Sequence, residues 1–112
     1  MVGGIFKLNI NIRKLDQFIN LLNEIIECVE IESTKINSGQ PSRWESNQLD
    51  GVVRPEISEL LSFALNGKIF FKHGKRQRVL ESTYLITDSF SELDKTPLGR
   101  KVLELQKFYN SL

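Results

Sequence analysis

The residues able to do acid–base or nucleophilic chemistry are few. His73 is the only histidine and Cys28 the only cysteine in the 112 residues. His73 sits between lysines in the stretch 67–87, GKIFFKHGKRQRVLESTYLIT. A proton shuttle there needs a shaped pocket and an orienting partner, which a polar turn does not supply. Cys28 falls at the edge of an apolar helical stripe, the setting of a buried structural thiol rather than a nucleophile. No GxSxG elbow, zinc-ligand spacing or EF-hand loop occurs, and neither GxGxxG nor GxxxxGK[ST] is present. The expectation is a protein without metal, cofactor or catalytic activity. The one enzymatic alternative is a metal-free nuclease built from the Lys, Arg and His of 68–78 with Glu81.

What the sequence does offer is localised charge. Lys68, Lys72, Lys75, Arg76 and Arg78 cluster around His73 and Gly74, opposed only by Glu81, in a chain of net charge +1. Three roles suit such a cluster. It can be a solvated strand edge whose lysines discourage aggregation. It can hold nucleic-acid phosphates while Phe70, Phe71 or Tyr84 stack on bases. It can enter an acidic cleft of a protein partner or add a strand to its sheet. A pI near 7.8 falls short of a nucleic-acid-binding footprint. Protein binding therefore ranks first, and a small RNA- or DNA-binding protein using 68–78 is the alternative. Two further features enter the candidate interface. Glu24, Glu27 and Glu30 make the far end of one helix face acidic, against the helix dipole, and Trp44 beside Arg43 has the composition of an interface anchor. The candidate partner-binding residues are thus Lys72, His73, Lys75, Arg76, Arg78, Glu24, Glu27, Glu30 and Trp44.

The elements that must position these residues follow from periodicity. Residues 5–12, IFKLNINI, alternate apolar and polar side chains and predict a half-buried strand. From 13 to about 32, Leu15, Phe18, Ile19, Leu22, Ile25, Ile26 and Val29 recur at helical spacing, with Lys14, Gln17, Asn20 and the three glutamates opposite. Residues 33–53 lack sustained periodicity and read as a long connection in which Trp44 either anchors a partner or folds the loop back onto the core. Arg54-Pro55-Glu56 opens a second helix with Ile57, Leu60, Leu61, Ala64 and Leu65 as its stripe, stopped by Asn66-Gly67. A hairpin over 68–87 turns at Gly74. Ser89 to Glu92 has capping-box spacing and predicts a single helical turn. Thr96-Pro97 starts the last helix, with Leu98, Val102, Leu105 and Tyr109 inward.

The predicted order is β-α-α-β-β-α: an α+β domain over 1–112 in which a small, mainly antiparallel sheet (strand 5–12 plus hairpin 68–87) is covered by three helices. The expected core comprises Phe6, Leu8, Ile10, Phe18, Leu22, Ile25, Leu61, Leu65, Tyr84, Ile86, Val102 and Leu105. A composition of 40% hydrophobic and 26% charged residues is that of a globular chain. The absence of a long apolar run, of signal-peptide features at the start and of a second cysteine predicts a cytoplasmic protein with no membrane partner.

In its size, α+β organisation, Asn/Ile/Lys-rich composition and stretches such as Gly67-Lys68-Ile69-Phe70-Phe71, Thr87-Asp88 and Thr96-Pro97-Leu98-Gly99, the chain resembles the small bacterial immunity proteins of contact-dependent growth inhibition and related polymorphic toxin systems. The resemblance implies a bacterial protein that neutralises one cognate toxin, for example a nuclease, by covering its active site or an adjacent surface. That group is diverse in fold, so it transfers no site residues to this sequence.

Overall fold

A 26-residue amphipathic helix is the spine of the structure. The structure is a computed structural model and describes residues 4–6, 12–71, 79–88 and 92–112. In chain order it consists of β1 (Gly4–Phe6), α1 (Ile12–Asn37), α2 (Ser46–Gln48), a π-helical turn (Leu49–Val53), α3 (Arg54–Ala64), β2 (Ile69–Phe71), α4 (Glu81–Thr87), a 3-10 turn (Leu93–Lys95) and α5 (Pro97–Asn110).

In α1 the helical spacing of the apolar residues decides what is buried. Phe18, Leu22, Ile25 and Val29 face inward, while Lys14, Gln17, Asn20, Glu24, Glu27 and Glu30 are exposed. Burying each such apolar side chain stabilises the fold by about 1.5–3 kcal/mol, which is why the stripe rather than propensity holds this helix in place. The Phe18 ring lies 6.0 Å from Phe108 and 6.4 Å from Tyr109, joining α1 to α5. The helix runs to Asn37, past the expected end near 32, and closes where Gly39 adopts φ +77°. The Gly39 and Gln40 amides then donate to the carbonyls of Ile36 and Lys35, the paired bonds that satisfy a helix C-terminus. Gly67, at φ +72°, ends α3 in the same way, with Gly67 and Lys68 donating to Ala64 and Phe63.

Residues 33–53 are largely helical rather than a long irregular connection. Pro55 explains the π-helical turn inside them. It has no N–H to give to the carbonyl of residue 51, and its ring collides with that carbonyl in a regular α-helix. The preceding turn widens instead, and the Arg54 amide reaches back five residues to Leu49. The short loop before α2 is tied inward. The Ser42 hydroxyl donates to Glu32 at 3.0 Å and accepts the Trp44 amide at 3.1 Å, while the Trp44 indole donates to Thr96 Oγ1 at 3.0 Å. Thr96 also caps α5 by accepting the Gly99 amide and donates to the Leu93 carbonyl. A Cβ on Gly99 would overlap that same Leu93 carbonyl, which explains the glycine after Thr96-Pro97-Leu98.

The α+β expectation is overturned: the described chain is mainly helical. Its strands are two three-residue segments, β1 and β2, paired antiparallel with Ile5 opposite Phe70. Of the expected strand 5–12, residues 5 and 6 belong to β1 and Ile12 already begins α1, while 7–11 lie outside the described residues. The hairpin 68–87 is likewise corrected. Its first arm pairs with β1, its turn at 72–78 lies outside the described residues, and its second arm is helical from Glu81 to Thr87. Of the expected core, Phe18, Leu22, Ile25, Ile86, Val102 and Leu105 are buried. Leu61 is half-buried. Leu65 is 66% and Tyr84 51% exposed. The side chains of Phe6, Leu8 and Ile10 lie outside the description. The 3-10 turn at Leu93–Lys95 stands just beyond the helical turn expected at 89–92, of which 89–91 are outside the described residues.

Candidate protein-binding surface

Residues 81–87, ESTYLIT, favour a strand by composition, and two buried side chains from other helices make them a helix. A helix start leaves backbone N–H groups without partners. Here Glu56 of α3, 2% exposed, accepts the Glu81 amide at 2.8 Å, the Ser82 amide at 2.9 Å and the Ser82 hydroxyl at 2.6 Å. Gln106 of α5 accepts the Leu80 amide and the Thr83 hydroxyl, both at 2.8 Å, and donates to Asn110. The carboxylate also lies where the N-terminal end of the helix dipole favours negative charge. Leu80, Thr83 and Ile86 are then turned inward and Tyr84 outward. This is the face assignment of a helical spacing, not of the strand alternation that grouped Tyr84 with Ile86.

The outward face of α4 and the π-helical turn border an open groove of about 340 Å³ lined by Gln48, Val52, Glu81, Tyr84, Leu85 and Asp88. Its wall is apolar at Val52, Tyr84 and Leu85. Asp88 stands at the C-cap of α4, exposed and without an ion pair among the described residues. Tyr84 is an exposed aromatic on a helix fixed at its base, the kind of group that dominates protein interfaces.

The acidic face of α1 is differently disposed. Glu24 accepts from Lys101 of α5 at 2.6 Å, and Glu104 lies 3.6 Å from the same ammonium. Glu30 and Asp50 both accept from Arg54, which also donates to Ser33. These bonds raise the pKa of Lys101, chiefly through Glu24, and of Arg54, chiefly through Glu30. Glu27 is exposed and forms no ion pair among the described residues. Two of the three glutamates proposed to meet a partner are thus already paired with cations of other helices. Burial pushes the Cys28 thiol above its ordinary range; Lys101 opposes the shift and Glu27 and Glu24 add to it. A raised thiol pKa means less thiolate at neutral pH.

Trp44 is 2% exposed and bonded to Thr96, so it anchors its loop to the core and offers nothing to a partner from this conformation. Arg43 pairs with Glu92 at 3.0 Å and, with Lys95, holds the Glu92 carboxyl below the usual carboxylate range. Lys72, His73, Lys75, Arg76 and Arg78 lie outside the described residues; of the basic cluster only Lys68 is described, and it is exposed. Of the aromatics offered for base stacking, Phe71 is fully buried and Phe70 is half-buried, with its ring 5.1 Å from Phe63. Only Tyr84 is exposed. No group of three or more His, Cys, Asp or Glu side chains placed to hold a metal occurs among the described residues. No helix among them is long and apolar enough to cross a membrane.

Comparison with family models, with curated proteins and with solved structures finds no match to this chain. The groove was hidden from sequence reading because Tyr84 looked like a strand residue and Glu56 like an ordinary first-turn carboxylate. The signal was the spacing of Leu80, Thr83 and Ile86, three residues apart each time, which is helical.

Proposed function

We propose that the protein is a non-enzymatic binding module that acts stoichiometrically on a protein partner, with the groove beside Tyr84 as its principal contact. The observation that carries this reading is the contrast within α4: two buried side chains from α3 and α5 hold the base of a seven-residue helix whose Tyr84 remains 51% exposed. Fixing an aromatic before contact lowers the entropy lost on association. Within this class the resemblance noted in the sequence favours a cytoplasmic immunity protein that neutralises a cognate bacterial toxin.

The test is calorimetric titration of the full chain with the polypeptide encoded immediately upstream, paired with a growth-inhibition assay of that polypeptide. The expected result is a complex of equal stoichiometry, weakened by roughly 30-fold or more in Tyr84→Ala, and relief of inhibition by the wild type only. If Tyr84→Ala binds as wild type and Glu24→Lys/Glu27→Lys does not, the α1 face is the contact surface. If only RNA binds, with affinity falling steeply as salt rises, the protein-binding reading is wrong.

A further inference from the structure

Asn66-Gly67, which ends α3, is also a reactive pair. Asn66 is the one asparagine in the sequence followed by glycine, and a glycine has no Cβ to keep its amide nitrogen away from the carbonyl carbon of the preceding asparagine side chain. Space around the pair is open. Nothing lies within 4 Å of where a Cβ on Gly67 would stand, and residues 65–68 are all exposed.

Hydrogen bonds hold the two reacting groups apart. Asn66 Nδ2 donates to the Ser62 carbonyl at 3.0 Å, laying the side chain back along α3, and the Gly67 amide donates to the Ala64 carbonyl at 2.9 Å. The Lys68 amide completes the stop by donating to the Phe63 carbonyl at 2.9 Å. While its proton is engaged in this way, the Gly67 nitrogen is not free to attack. These bonds belong to the last turn of an exposed helix end, where local opening costs least. The other acid or amide residue followed by glycine, Asp50, is differently placed: its carboxylate is paired with Arg54, and an ionised carboxylate is a poor electrophile.

We propose that Asn66 is a site of intramolecular deamidation gated by the opening of the α3 C-terminus. In the opened turn the Gly67 nitrogen gives its proton to solvent and forms a bond to Asn66 Cγ, while the bond from Cγ to Nδ2 breaks and the nitrogen leaves as ammonia with a proton from water. The resulting succinimide takes up one water at either of its carbonyls and opens to an aspartate or an isoaspartate at position 66. Both products lose the donor to Ser62 and place a carboxylate at the negative end of the α3 dipole. The isoaspartate also adds a methylene to the main chain, so the Gly67 and Lys68 amides no longer match the Ala64 and Phe63 carbonyls. The buried Ile69 of β2 follows directly, so the change at the stop is passed to the strand pair.

Peptide mapping by mass spectrometry tests it on the full chain, incubated at one neutral pH in its native state and in denaturant. Conversion at Asn66 is expected in both samples and roughly tenfold or more slower in the native one, in proportion to the population of the opened turn. Leu65→Gly removes an exposed side chain, keeps the fold and weakens the last turn, so it should raise the native rate about threefold and leave the unfolded rate unchanged. Asn66→Gln, which needs a larger ring, should yield no product over the same period. Absence of conversion in the unfolded chain, equal rates in the native and unfolded chains, or a native rate indifferent to Leu65→Gly would overturn the proposal.

Discussion

Helices α1 and α4 reach the same secondary structure by opposite routes. Along α1 the sequence itself is helical in pattern, with an apolar stripe from Phe18 to Val29 and polar residues opposite. Helix α4 has seven residues rich in Ser, Thr, Tyr and Ile, too short and too β-prone to stand alone, and it exists because Glu56 and Gln106 receive the donors at its start. The difference teaches where exposed function can sit. An amphipathic helix uses its apolar face for the core, and two of the three glutamates on the acidic face left over on α1, Glu24 and Glu30, are bound to Lys101 and Arg54. A helix held at its base by buried polar groups can leave an aromatic outside.

Substitutions that break one helix should therefore behave differently from those that break the other. The largest expected effect is on the α1 core: Phe18→Ala removes a fully buried ring between α1 and α5 and should cost about 3–5 kcal/mol, read as a global shift of the denaturation midpoint. Glu56→Ala strands two amides and a hydroxyl at the start of α4 and should cost roughly 3 kcal/mol. Glu56→Gln, which keeps an acceptor oxygen, should recover part of that loss. Trp44→Phe deletes the donor to Thr96 and shrinks a buried side chain, and should cost about 1–3 kcal/mol by the same midpoint shift.

Smaller effects sharpen the contrast at the surface. Tyr84→Ala should stay within about 0.5 kcal/mol of wild-type stability while weakening binding, since the ring is exposed. Glu24→Gln should leave the denaturation midpoint unchanged, because its partner Lys101 is solvent-screened. The Cys28 thiol, whose pKa is raised in the fold, should label slowly with a thiol reagent at neutral pH and faster once the chain is unfolded. The linkage sign follows: the unfolded thiol ionises first, so this group's contribution to stability is intact below the unfolded pKa and declines as pH rises through the ordinary thiol range.

How far each region could be read from sequence follows the same division. The stripe of α1, the Gly67 stop, the Thr96-Pro97 start and the inward face of α5 are local signals, and the structure carries them. The strand assigned to 78–87 failed at 81–87 because β propensity is weak against partners distant in the chain. Glu81 and Ser82 meet Glu56, 25 and 26 residues earlier, and no local pattern encodes that meeting. Residues 33–53 read as irregular because they lack a sustained period and contain Asn37-Ser38-Gly39-Gln40-Pro41-Ser42, yet α1 runs into them as far as Asn37 and helix resumes at Ser46, with a π-helical turn at Leu49–Val53. Trp44 illustrates the ambiguity of composition: beside Arg43 it has the make-up of an interface anchor, and its burial and hydrogen bond to Thr96 distinguish the inward orientation.

Native-state hydrogen exchange in Glu56→Ala tests most directly the claim that α4 is a display helix held from its base. Residue-resolved protection reports local opening separately from global unfolding. The expected result is that the amides of 81–87 lose protection well beyond the global change, while those of Phe18 to Val29 in α1 fall only in step with overall stability. Undiminished protection in α4, or an equal loss across α1 and α4, would contradict the account.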